Sequence, residues 1–277
     1  MTVDQANQLR QRNPIHPFRH LGFTLPIHTI TSETTRPETG TVIMVHDLGA
    51  DATSMDSAFS APALLDYRLI TLDLSGHGLT PAPEAPPADL IGDHYGPLIA
   101  YLADYYARTG PVHLVGHGMG LAAICAADQI DPDTIHTVIS VAGTMTGTDC
   151  DRLARGIAQT STDQFVRTGW THLVRSARDG TAAGAALRGQ LSRVNAVTLH
   201  AAATALVQWC DSGRIAQWWT DRADGRRQAH LYGSATGLPD PTRHLCRHTP
   251  RVEIPGAGHL PMIDCPRALW EGVAAML

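Results

Sequence analysis

The 277-residue chain has few aromatic residues (5%) and only five cysteines: Cys125, Cys150, Cys210, Cys246 and Cys265. These are odd in number and scattered, with no Cys-x-x-Cys spacing, which predicts reduced thiols in a cytoplasmic protein without a disulfide framework or zinc site. No metal or other cofactor is expected. Charge of neither sign dominates: the net charge is −5, with both signs interspersed. That excludes the basic footprint of a nucleic-acid binder and gives no reason to expect a membrane partner. No apolar run reaches the ~18 residues that would span a bilayer, and the polar opening Met1–Gln8 lacks the apolar core of a secretion signal. Internal repeats and low-complexity stretches are also missing. A small molecule is the partner class left; oligomeric state cannot be read from these residues.

What is present is alternation of apolar runs with helical stretches. Thr41–Val45, Arg68–Leu72, Val112–Val115 and Thr137–Val141 are short, apolar and continuous, as in strands buried on both faces. Leu231 with Tyr232, and Val252–Ile254, give two more. Phe23, Leu25 and Ile27 alternate within 22–30, which predicts a half-exposed edge strand. Helices are predicted near Met55–Leu65, Pro97–Ala107, Leu121–Asp128 and Pro266–Leu277. Strands alternating with helices imply an α/β fold with a mostly parallel, doubly wound sheet. Residues 1–20, polar and without a period, are expected to form an N-terminal arm. The core is expected over 21–143 and 226–277, interrupted at 144–225 by a helical lid with helices near Asp163–Ala177 and Ala183–Trp209. Trp170, Trp209, Trp218 and Trp219 fall inside this insertion. They are expected to hold it on the core, with some of them lining a substrate pocket.

Four glycine-rich turns follow the predicted strands. They are His46-Asp47-Leu48-Gly49-Ala50, Asp73-Leu74-Ser75-Gly76-His77-Gly78, Gly116-His117-Gly118-Met119-Gly120 and Pro255-Gly256-Ala257-Gly258-His259. In order and spacing they resemble the oxyanion loop, the Asp-x-x-Gly-His-Gly turn, the nucleophile elbow and the histidine loop of α/β-hydrolases. The resemblance implies an α/β-hydrolase core, with the backbone N–H groups of Leu48 and Met119 as oxyanion donors and His259 as the catalytic histidine. Three positions depart from the pattern. Gly118 stands at the nucleophile position, Thr236 at the usual acid position, and Asp47 where the oxyanion loop usually has glycine. Asp240, four residues beyond Thr236, reaches the site only along an unusual loop path, and Ser234 is the alternative hydroxyl nucleophile. His77, His113 and His117 are expected to be structural.

With no hydroxyl at the elbow, the usual acyl-enzyme route is closed. The leading expectation is therefore a non-nucleophilic enzyme of the lyase, isomerase or cyclase type. His259 would move a proton in elimination, cyclisation or isomerisation of a small apolar carbonyl compound, in a biosynthetic role. The bland reading of His259 is a relic that caps the last helix. Asp47 faces either solvent or the cleft; in the cleft its carboxylate would support a charged His259. Two alternatives stay open. One is a serine esterase, thioesterase or C–C hydrolase in which Gly118 replaces the natural serine; the other is a non-catalytic ligand-binding protein.

Overall fold

The computed structural model describes residues 10–20, 23–32, 39–151, 153–177, 180–223 and 226–277. Eight strands form one sheet among them: β1 (Arg10–His20), β2 (Phe23–Ser32), β3 (Thr41–Val45), β4 (Arg68–Leu72), β5 (Val112–His117), β6 (Ile135–Val141), β7 (Arg227–Gly233) and β8 (Arg251–Ile254). Their order is β1-β2-β4-β3-β5-β6-β7-β8. The last six in chain order run parallel, while β1 and β2 are antiparallel to their neighbours.

The side-chain alternation of a strand explains why the central runs read as continuously apolar. Every residue of β3 is buried. Ile43 and Val45 point to one apolar layer, with α1 (Gly96–Ala107) and α2 (Gly120–Ile130). Val42 and Met44 point to the other, which holds the 3₁₀ turn Ala52–Ser60 and the last helix, residues Pro266–Ala274. A strand covered on both faces has no polar face to display.

The structure departs from the sequence expectations in several places. The stretch expected as an arm is in part strand β1, paired with β2 from Arg10↔Ser32 to His20↔Phe23; residues 1–9 lie outside the described residues. Pro14 and Pro17 hide its pattern, and the register shifts between Pro14 and His16; an outer strand tolerates proline because one of its edges carries no ladder. β2 is consequently an inner strand, between β1 and β4. The helix expected near Met55–Leu65 is two 3₁₀ segments, Ala52–Ser60 and Pro62–Leu64. The stretch expected as helical over Ala183–Trp209 divides into α3 (Ala182–Leu191) and α4 (Ala196–Asp211), where the Asn195 side chain caps α4 by accepting from the Thr198 N–H at 3.0 Å.

Between β6 and β7 the described residues form a series of helices that starts at Gly147 and ends in α5 (Arg214–Ala223), and they pack on the turns after β3 and β4. A β-carbon on Gly49 would meet Leu191, and one on Gly76 would meet Thr198. Arg193 reaches the buried Asp51 through Nε at 2.9 Å and a terminal guanidinium nitrogen at 2.5 Å. Among the described residues no helix is long and apolar enough to cross a membrane.

Candidate active site

Three loops meet at the carboxyl ends of β3, β5 and β8, where parallel α/β sheets place their ligands. The turn from β5 into α2 holds Gly118 at φ +50°, a left-handed conformation that glycine adopts without strain. The carbonyls and amides around it are engaged: Gly118 N–H donates to Val141 O at 3.2 Å, and Thr144 N–H donates to Gly118 O at 3.2 Å.

Asp47 is the centre of the site. Its Oδ1 accepts the Leu48 N–H at 2.7 Å and the Met119 N–H at 2.6 Å. Its Oδ2 lies 2.9 Å from His259 Nε2. The two N–H groups expected to hold a substrate oxyanion therefore converge, and the oxygen between them is Asp47's own. A β-carbon at position 118 would fall inside the van der Waals radii of Cγ, Oδ1 and Oδ2 of Asp47. The carboxylate thus occupies the space that a side chain on the elbow would need, and a serine there requires the Asp47 side chain to move.

The loops are fixed from below by histidines. His46 Nε2 accepts the Leu74 N–H at 3.0 Å, so Nδ1 carries the proton and donates to Asp47 O at 2.8 Å. His117 Nε2 donates to His259 O at 2.8 Å, tying the elbow to the histidine loop. Burial pushes His117 down to about 4 and His77 down to about 3, so both are neutral near pH 7. Burial alone would raise the Asp47 carboxyl. The His259 hydrogen bond, the nearby His117 and His259 rings and the Met119 N–H outweigh it and hold Asp47 well below the usual carboxylate range.

The other expected residues lie elsewhere. The Asp240 side chain is fully exposed, 3.8 Å from Arg243, at the head of the short helix Asp240–Leu245. Ser234 Oγ accepts the Gly256 N–H at 2.8 Å and so braces the histidine loop. Thr236 borders a cavity of about 40 Å³ beside His259, shared with Asp149 and Thr242. His113 is buried near His136, away from the cleft loops.

A cavity of about 340 Å³, the main one at this site, opens over Asp47 and His259 and is walled by Leu48, Leu153, Leu187, Leu206 and Leu260. None of the four tryptophans lines it, contrary to expectation. Trp209 Nε1 donates to Asp89 at 2.8 Å and Trp218 Nε1 to Asp128 at 2.8 Å. Trp219 is fully buried, and Trp170 packs on the core. A buried indole needs an acceptor for its N–H; for Trp209 and Trp218, carboxylates on the core provide one. Asp149, which sequence reasoning did not single out, lines both cavities. Its one sequence signal is the capping box from Thr146 to Asp149.

One oxygen of Asp47 and one ring nitrogen each of His117 and His259 lie within 4.8 Å of one another, ligand types that suit a transition metal. The Nε2 atoms of both rings and both Asp47 oxygens are already engaged in hydrogen bonds.

The comparisons agree with this architecture. Residues 42–271 match the Alpha/beta hydrolase family, while no curated protein matches the chain. A thermophilic esterase from Thermogutta terrifontis, solved with malate bound, is 20% identical, with 96% of this chain and 97% of that one covered and a TM-score of 0.73. The Cif epoxide hydrolase from Acinetobacter nosocomialis is 12% identical, covering 98% and 90%, with a TM-score of 0.73. The thioesterase domain from the curacin biosynthetic pathway is 17% identical, covering 96% and 99%, with a TM-score of 0.64. At these identities the solved structures speak for the fold. With the family matched over most of its length, the chain belongs to the alpha/beta hydrolase family.

Proposed function

We propose that this is an alpha/beta hydrolase in which Asp47 stands in for the elbow serine as a carboxylate nucleophile and His259 moves the protons. The observation that carries the reading is the placement of the carboxylate: Oδ1 sits between the two N–H donors and Oδ2 faces His259 Nε2. The substrate is a small, largely apolar molecule with an activated or strained bond from carbon to a heteroatom. An Oδ2 lone pair attacks that carbon, and the bond to the leaving heteroatom breaks with its electron pair. His259, protonated, gives its Nε2 proton to the departing atom. The neutral ring then takes a proton from a water, whose oxygen attacks Cγ of the Asp47 ester. The charge developing on Oδ1 is met by Leu48 N–H and Met119 N–H, donors already in place. Collapse of that intermediate releases the product hydroxyl and restores the carboxylate. The epoxide hydrolase among the similar structures supports this substrate type.

The test is His259→Ala challenged with uncharged electrophiles such as styrene oxide. Accumulation of a stoichiometric mass adduct mapped to Asp47 supports the reading, and an adduct-free Asp47 in an enzyme that turns the compound over contradicts it.

A second reading keeps the covalent step out: His259 transfers a proton directly, in elimination, cyclisation or isomerisation of a small apolar compound. What favours it is the strong stabilisation of the Asp47 carboxylate, which weakens it as a nucleophile. The carbonyl expected in the substrate loses its support, since both oxyanion donors are taken by Asp47.

A further inference from the structure

The polar end of the main cavity is built to receive a hydrogen-bond donor. A carboxylate offers about four lone-pair sites. Asp47 uses two on Oδ1 and one on Oδ2, which leaves one acceptor on the oxygen that faces the cavity. Asp149 also lines the cavity. Its Oδ2 accepts from Met145 N–H, Thr146 N–H and the hydroxyls of Thr146 and Thr242, whereas Oδ1 has only Thr242, at 3.1 Å. Among the described residues that line the cavity there is no lysine or arginine. The two backbone N–H groups that would have bound an anion are filled by Asp47. The side-chain donors among the described lining residues are Thr144, Cys150 and His259, and the Cys150 thiol is directed at Leu206 O.

An anionic ligand would therefore enter a pocket with two carboxylates, whose described lining offers no lysine, arginine or vacant amide and whose His259 is already bonded to Asp47. Like charges so juxtaposed are strongly disfavoured, the more so between apolar walls that exclude water. A volume of about 340 Å³ is at the small end for ligand sites, and the five leucines demand a hydrocarbon body.

We propose that the ligand of this cavity is a small apolar amine: a hydrocarbon body whose ammonium is held by the carboxylates that line it, Asp47 and Asp149. The proposal rests on the reading above only in taking the cavity over Asp47 as the substrate site; it does not depend on whether Asp47 becomes esterified.

Calorimetric titration with 2-phenylethylamine, 2-phenylethanol and phenylacetate at pH 7 tests it, because the three share one ring and chain and differ at the head. The amine should bind tightest, the alcohol next, and phenylacetate at least about tenfold more weakly than the amine. Asp47→Asn and Asp149→Asn should each narrow the gap between amine and carboxylate, with both variants confirmed as folded by circular dichroism. Phenylacetate binding as tightly as the amine overturns the proposal. So does a preference that both variants keep, or binding by none of the three. Because no turnover is read, a charge preference without covalent Asp47 chemistry would remove the mechanism and leave the ligand class standing. The opposite result would do the reverse.

Discussion

The Asp47 carboxylate and the absent side chain of Gly118 occupy the same volume. The two positions are therefore one structural unit: aspartate fits at 47 because glycine is at 118. Gly118→Ser should neither label with a fluorophosphonate nor hydrolyse aryl esters. Its β-carbon collides with Asp47 in a backbone conformation that disfavours side chains, a strain of about 1–3 kcal/mol. Asp47→Gly with Gly118→Ser clears the space and vacates the two N–H donors, so the double variant should label. Labelling of the single variant would show that Asp47 leaves the elbow freely.

Acid should destabilise the fold in a defined window. Burial pushes His113, His117 and His230 down to about 4 and His77 down to about 3. Between about pH 6.5 and pH 4 the unfolded chain binds protons at these positions that the folded chain refuses. Stability is therefore complete above about pH 6.5 and falls as pH drops towards 4. Each ring contributes about 1.4 kcal/mol for every tenfold drop in its proton affinity on folding. Urea midpoints measured from pH 7.5 to 4 check this; a flat profile would mean that these rings are hydrated or paired in solution.

Arg193 links the helical insertion to Asp51, whose side chain is only 1% exposed. Arg193→Ala should leave that carboxylate without its cation and loosen the seat of α3 on the oxyanion loop. Hydrogen exchange should accelerate across 182–199, with β3 and β5 unchanged. Uniform exchange in wild type and variant would show that the leucine contacts alone hold the insertion down.

Much of this was legible in the sequence, for identifiable reasons. Strands β3 and β5 announce themselves because burial on both faces makes them mostly apolar, with residues 42–45 and 114–115 unbroken, and the site loops because glycine marks tight backbone turns. Position 118 could be read as a bare elbow, but the aim of Asp47 could not. Whether a loop carboxylate turns to solvent or inward is decided by donors from β5 and the histidine loop, distant in the chain. The tryptophans misled because ring size suggests a pocket, while the destination of Trp209 and Trp218 is set by Asp89 and Asp128. Prolines masked β1, and a single capping residue, Asn195, separates two helices that composition runs together.

The most direct test of the account follows an oxygen atom. Wild-type protein turning over an uncharged electrophile in ¹⁸O-water should acquire the label in the peptide carrying Asp47, because water attacks Cγ of the ester and one carboxylate oxygen leaves with each product. Label found in the product from the first turnover, with Asp47 unlabelled after many, would contradict it and leave His259 acting on water or substrate without a covalent step.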